Sequence, residues 1–312
     1  MQTITARKPN KMALLKKWAP LYLMMIPGLA YFIVNNYLPM FGLVMAFQRV
    51  NFSLGILGSP WVGLENFRFL FATRDAWIIT RNTLLYNAAF IVVNTVIGVA
   101  LAIFISDVKN KHLKKIFQGS TLFPFLMSAV VVGYLVFAFF SMRTGFVNNT
   151  ILPAFGRDPI FWYNEPRHWP GILIFVNTWR SVGYGILIYI ASINGIDPSL
   201  YESAVLDGAT KWQQIRNITI PLIIPTVIIL LMLGIGRIFF ADFGLFYQVP
   251  RNSGLLFPTT NVIDTYVFRG LMVTGNVAMS TAAGFYQSIV GFVLVLTANG
   301  LVRKFSKENA LF

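Results

Sequence analysis

The sequence predicts an all-α integral membrane protein with six transmembrane helices and both termini in the cytoplasm. Three observations carry that expectation. Of the 312 residues, 56% are hydrophobic and only 12% charged, whereas a soluble domain carries about a quarter charged residues. Six segments are apolar over the roughly 20 residues that a helix needs to cross a hydrocarbon core. Lysine and arginine are divided unequally between the two sets of loops that join those segments.

The elements follow in order. Residues 1–17 are a basic tail with Arg7, Lys8, Lys11, Lys16 and Lys17. The first span, 18–47, is uncharged. It exceeds the apolar core of a signal peptide, about 7–15 residues, and Pro20, Pro27 and Pro39 interrupt it. A retained, kinked helix is expected, since neighbours in a membrane can satisfy the carbonyls that proline frees. Spans 82–106 and 116–142 are uncharged; span 168–196 carries Arg180 alone and span 217–241 carries Arg237 alone. Span 270–302 is uncharged, with its first ten residues expected outside the membrane. The membrane domain is therefore 18–302, followed by a carboxyl-terminal tail, 303–312. Among the connections, 61–71 is aromatic and amphipathic and suits the membrane interface. Segment 143–170 holds four prolines and reads as an irregular cap. Residues 262–269 form a short helix able to dip toward the membrane.

Charge sets the orientation. The amino-terminal tail, Lys109, Lys111, Lys114, Lys115, Lys211, Arg216, Arg303, Lys304 and Lys307 fall on one side, and they include every lysine. The opposite loops carry only arginines: Arg49, Arg68, Arg74, Arg81, Arg143, Arg157, Arg167, Arg251 and Arg269. The lysine-bearing side is assigned to the cytoplasm. The net charge of +14 reflects this bias and contact with anionic membrane lipid, not nucleic acid, because the basic residues flank apolar spans.

Chemistry is excluded by what is missing. There is no cysteine and only His112 and His168, so disulfides, thiolate metal sites and a histidine-based metal or catalytic centre are not expected. No catalytic constellation forms, and no phosphate-binding loop of Walker type is present. Gly183-Tyr-Gly185 and Gly234-Ile-Gly236 lie within spans and suit close helix packing. The chain is expected to be no enzyme and to bind no cofactor itself.

A polar island, 195–221, interrupts this pattern between the fourth and fifth spans. Asp197-Pro198 is a strong helix start, an N-cap followed by proline at the first helical position. No breaker follows until Gly208, which fits a helix stop in the left-handed conformation. A second helical stretch begins near Thr210, and Pro221 opens the fifth span. A plain tether is the simpler reading, but such loops are often only a few residues long. This one is longer and well capped, with Ala204 small and Glu202 and Asp207 acidic, which points to a docking surface.

The island resembles the cytoplasmic coupling loop of ABC-importer permeases, in which Glu-Ala-Ala, three residues, Gly, nine residues, Ile, one residue and Leu-Pro recur. Glu202, Ala204, Gly208, Ile218 and Pro221 fall at that spacing. Ser203 stands where Ala is usual and Ile220 where Leu is usual, while Asp207-Gly208-Ala209 has the form common in sugar-importer permeases. Residues 262–269 and 298–306 are similar to the LplB-type branch of oligosaccharide permeases, which includes subunits of importers for alginate and other plant or algal polysaccharide fragments. The resemblance implies a second homologous permease, two ATPase subunits carrying ATP and Mg²⁺, and an extracellular or periplasmic solute-binding protein at a bacterial cytoplasmic membrane. It implies further that Glu202 pairs with a basic ATPase residue, Ala204 permits close packing and Gly208 permits the bend. The cargo it implies is an oligosaccharide, moved by alternating access.

Polar residues inside the spans are candidates for the path. An arginine at the bilayer centre costs about 2.5–3.5 kcal/mol on insertion scales, so Arg180 and Arg237 should face a cavity or a partner. On a continuous helix Asp242 lies about 140° from Arg237, so the two are no obvious pair. Asn94, Tyr184, Tyr247, Gln248 and Gln287 complete the set. Structural ion pairs, and interfacial anchoring of the tyrosines, compete with the path reading. If arginines line the path, an acidic sugar such as a uronate oligomer gains ground, but arginine also binds the hydroxyls of neutral sugars, so both classes stay open. An ion-coupled secondary transporter is the alternative, but the spans hold no carboxylate except Asp242 near an end. A membrane transferase would need acids and histidines that cluster, and these do not.

Overall fold

The computed structural model describes residues 11–68 and 72–305. Arg7, Lys8, residues 69–71 of the aromatic outer segment, Ser306 and Lys307 lie outside the described residues. Within them the chain is helical, and an isolated bridge between Gln48 and Trp61 is the one extended pairing among the described residues.

Helix α1 spans Lys11–Phe32 and continues through a π turn, Ile33–Tyr37, and a 3₁₀ stretch that ends at Phe47. The π turn has a local cause. Proline at position i lacks an N–H and clashes with the carbonyl four residues back. Widening the preceding turn removes the clash, so the Leu38 N–H donates to the Ile33 carbonyl just before Pro39. The same device precedes Pro153, over Val147–Ile151, and Pro221, over Ile215–Thr219. Residues 17–41 of this run are exposed in the isolated chain. Burial begins at Gly42 and is complete at Ala46, and the Phe47 ring stacks on Trp61 at 5.5 Å and meets Phe285 edge-on at 5.3 Å.

Helices α2, Arg74–Ser106, and α5, Trp169–Asn194, form the central pair. Thr73 caps α2 by accepting from the Ala76 N–H. Without water to drive burial, such helices are held by close packing and by hydrogen bonds between them. Gly183 shows the first: a Cβ there would lie 2.1 Å from the Thr121 carbonyl oxygen. Tyr86, Phe90, Leu173, Leu245 and Phe246 form one buried cluster, and Ala102, Ile105, Ile186, Tyr189 and Ile190 form another.

The uncharged run 116–142 is not one straight span. Helix α3, Lys111–Leu122, tightens into a 3₁₀ turn, Phe123–Leu126, and α4, Ala129–Phe140, departs at 98°. Pro124 sits in the tight turn, Met127 is extended, and Ser128 restarts the helix by capping the Val131 N–H. The described residues thus contain five helices long and apolar enough to cross a membrane, or six if the bent pair counts as one.

Beyond α5 come α6, Pro198–Leu206, and α7, Lys211–Gln214, which runs through its π turn into α8, Ile220–Ile235. Here the structure corrects a second expectation: the helix stops at Ile235, not near 241. Gly234 and Gly236 weaken it, and side chains from elsewhere satisfy the carbonyls that follow. Asn87 donates to Ile238 and Phe240, and Gln287 donates to Phe239. Arg237 therefore lies in a turn, and Asp242 caps the next helix, α9, Phe243–Gln248. The expected short outer helix is α10, Ile263–Met272. The last helix, α11, Val277–Phe305, starts inside the expected 270–302 run and takes Arg303 and Lys304 into its final turn.

Candidate translocation cavity and coupling loop

The coupling loop is closed by its own backbone. Asp197 accepts from the Ser199 N–H at 2.9 Å to start α6, and that bond holds its carboxyl below the usual carboxylate range. At the other end Gly208 takes φ +75°. Its N–H donates to Val205 at 3.0 Å, and the Ala209 N–H donates to Ala204 at 2.8 Å. This is a Schellman stop, with the motif's Ala204 as the acceptor of its outer bond and Gly208 as its left-handed residue. Thr210 and Gln213 then form a capping box that starts α7. Buried Gln214 ties the bend down by donating to the Ala209 carbonyl at 3.1 Å, and Tyr201 bonds Thr219 across the bracket at 2.9 Å. Lys211 pairs with Asp107 at the end of α2. Glu202, Ser203, Asp207 and Pro221 are exposed, while Ala204, Ala209 and Ile218 are half-buried. Leu206 is 88% exposed beside Val205, so the outer face of α6 is apolar and acidic at once.

A cavity of about 660 Å³ lies between α2, α5 and the end of α8. Four of the sequence candidates line it: Asn94, Tyr184, Arg237 and Asp242. Arg180 reaches its rim by donating to Asp242 at 2.8 Å, and the other Asp242 oxygen accepts from the Leu245 N–H at 3.0 Å. Asp242 is thus neutralised and fixed. Arg237 is exposed and lacks a carboxylate partner among the described residues, so the cavity keeps one uncompensated positive charge. Asn94 donates to Asn177 at 3.0 Å, and its own carbonyl oxygen is buried without a partner among the described residues. A buried acceptor of that kind is costly unless a water or ligand donates to it.

Sequence reasoning missed Asn87, Asn177 and Ser181, all on the cavity wall. The signal was there: Asn87 and Asn94 are seven apart, and Asn177, Ser181 and Tyr184 are spaced four and three, each set on one helical face. Three candidates prove not to be in this cavity. Tyr247 and Gln248 line a separate recess of about 330 Å³ with Arg251. Gln287 is buried in a structural knot, donating to the Phe239 carbonyl at 2.6 Å and to Asp264 at 3.1 Å. Asp264 also accepts from the Ala241 N–H at 2.8 Å, and burial raises its carboxyl pKa.

Long apolar helices around a polar cavity, with an exposed helical bracket on one end of the bundle, are the outline of a membrane transport subunit. Among the described residues no cluster of three metal-ligating side chains occurs. The profile of the binding-protein-dependent transport system inner membrane component family matches residues 94–307, and the chain belongs to that family; it is a pore component, not an enzyme. It is 36% identical over 289 residues to the polygalacturonan/rhamnogalacturonan transport system permease protein YteP of Bacillus subtilis (strain 168), covering 93% of this chain and 89% of that one. To Protein LplB of the same organism it is 31% identical over 298 residues, covering 96% and 93%. It superposes with a TM-score of 0.86 and 33% identity on a chain from the crystal structure of a bacterial ABC transporter involved in the import of the acidic polysaccharide alginate, covering 95% of this chain and 99% of that chain.

Proposed function

We propose that this chain is one permease subunit of an ATP-driven importer of acidic oligosaccharides, with six spans and both termini on the cytoplasmic side of a bacterial membrane. The observation that carries the substrate class is Arg237, an arginine without an acidic partner among the described residues, in a cavity otherwise lined by amides, hydroxyls and aromatic rings. That set suits a sugar: rings to stack on, amides for hydroxyls, and a guanidinium fork for a carboxylate. The relatives point the same way, since pectic polymers and alginate are all uronate-bearing.

The coupling loop supplies the drive. α6 offers Glu202, Ala204 and Leu206 to an ATPase subunit, which holds ATP and Mg²⁺. The load passes from α6 through the Schellman bend into α7 and, without a break in helix, through the π turn to Gly234 at the cavity. The exposed first helix and the open cavity side leave room for a second permease, and a solute-binding protein delivers cargo from outside. Uptake of a galacturonate tetrasaccharide into proteoliposomes holding the complete assembly tests this. The expected result is uptake that needs ATP hydrolysis and persists when ion gradients are collapsed. Uptake that survives vanadate but stops with a protonophore would instead establish an ion-coupled carrier.

A further inference from the structure

We propose that a second carbohydrate subsite lies around Arg251, on the outer side of the chain, where it takes a uronate carboxylate before the sugar reaches the central cavity. The proposal rests on the orientation and substrate class argued above.

The backbone draws attention first. Pro250-Arg251-Asn252-Ser253 is a type I′ turn, with φ +55° at Arg251 and +47° at Asn252, closed by the Ser253 N–H on the Pro250 carbonyl at 3.2 Å. Asparagine tolerates that conformation; arginine pays for its Cβ there. Such strain persists only where the surroundings enforce it, and here they do. The Asn252 N–H donates to Tyr247 at 3.0 Å, and Arg269 donates to the Asn252 side-chain oxygen at 2.9 Å. Arg269 is itself fixed by Asn261 and by its place 4.1 Å over the Phe257 ring.

This scaffold holds one functional group in a defined place. The Arg251 guanidinium lies 4.3 Å over Phe137 and 5.6 Å from Tyr134. A guanidinium held at that distance over a ring by cation–π attraction still has N–H groups to offer a planar, two-oxygen partner. No carboxylate pairs with it among the described residues, although Arg251 is exposed and lines two recesses at once. One, of about 330 Å³, has Tyr134, Tyr247 and Gln248 in its wall. The other, of about 430 Å³, is aromatic, with Phe137 and Trp162. A guanidinium fork between aromatic walls and amides is the chemistry that recognises a uronate ring. Position adds to it. Helix α9 has the central cavity's Asp242 at one end and Tyr247–Gln248 at the other, about 9 Å apart along its axis.

The test is binding of a galacturonate tetrasaccharide, and of the same oligomer with its carboxyls reduced to alcohols, to the whole complex trapped outward-facing with ATP and vanadate. Arg251→Gln should weaken the acidic oligomer about tenfold, the scale of one charge-assisted hydrogen-bonded pair. The reduced oligomer should bind wild type and variant alike, and Arg251→Lys should recover part of the loss. Equal weakening of both oligomers, or a change under twofold for the acidic one, overturns the subsite. So does loss of the second permease from the purified variant complex, which would make Arg251 a subunit contact. If wild type binds no acidic oligomer and Arg237→Gln changes nothing, the substrate class itself is wrong, an outcome distinct from failure at Arg251 alone.

Discussion

The coupling loop and the central cavity are built by opposite rules. In the loop the contacts that shape the bend are local: Asp197 to Ser199, Ala204 to Ala209, Thr210 to Gln213 and Ala209 to Gln214 are at most five residues apart, and only Tyr201 to Thr219 and Lys211 to Asp107 reach farther. In the cavity the contacts that join one wall to another are distant: Arg180 to Asp242 spans 62 residues, Asn94 to Asn177 spans 83, and Asn87 to Ile238 spans 151. A surface that must dock rigidly on a partner gains from a shape fixed by its own caps. A cavity that must open and close gains from walls on separate helices, joined by few bonds. The difference predicts where single substitutions act sharply and where they act by degrees.

The sharpest break is at Gly208. Its φ of +75° and its N–H bond to Val205 are both denied to proline, whose φ is locked near about −65°. Combined with Glu202→Lys, Gly208→Pro should lower ATP-driven uptake by more than about a hundredfold, the expectation when a docking charge is reversed and the bend removed together. The ATPase subunits should co-purify poorly, while oligosaccharide binding to the permease persists. Gly208→Ala is the control: among the described residues, no atom beyond the adjoining residues lies within 4 Å of the added Cβ, so it meets only the cost of a left-handed alanine, about 1–2 kcal/mol. Wild-type uptake in the double variant would remove the coupling role.

The same contrast explains what could be read in advance. Asp197, Gly208, Thr210 and Pro221 act within a turn or two of themselves, so the sequence displays their geometry. Arg237 shows the limit. The apolar letters continue to Ala241, and the nearby Gly234 and Gly236 suit close helix packing as well as they suit a helix end at Ile235. The carbonyls freed by that ending are satisfied by Asn87 and Gln287, from α2 and α11. Likewise Pro124 and Ser128 are ordinary in a membrane helix. Only their backbone geometry, an extended Met127 between the tight turn and the new cap, shows the 98° bend.

At the cavity the largest effect should come from Arg237→Glu. Reversing the unpaired charge places like against like for a uronate, and uptake of a galacturonate tetrasaccharide should fall about thirtyfold or more, the equivalent of about 2 kcal/mol. Its carboxyl-reduced counterpart should change little. Equal loss for both would make Arg237 a structural residue. A smaller effect belongs to Asp242, which does two things with two oxygens. Asp242→Ala strands Arg180 and uncaps α9; Asp242→Asn keeps an acceptor for the Leu245 N–H and loses only the ion pair. The alanine variant should lower the melting temperature of the purified complex more, with about 1 kcal/mol separating the two, the usual worth of a helix cap. Indistinguishable variants would show that the ion pair alone matters.

The smallest effect is expected at Asp264, and its sign is informative. Burial raises its carboxyl pKa, against the opposing pull of the Ala241 N–H and the Gln287 amide. A raised carboxylate pKa means that the folded state holds its proton more tightly than the unfolded one. The linked stability is therefore greatest at low pH and declines as pH climbs from the unfolded value through the folded one. The substitution Asp264→Asn would keep an oxygen for the Ala241 N–H without the buried charge. Thermal unfolding of the purified variant should thus match or slightly exceed wild type at pH 8, by less than about 1 kcal/mol, and the curves should converge as pH falls toward about 4. A large loss at pH 8 would mean that the charge, not the acceptor, holds the turn after α8 against α10 and α11. The cavity wall would then depend on one ion as strictly as the coupling loop depends on one glycine.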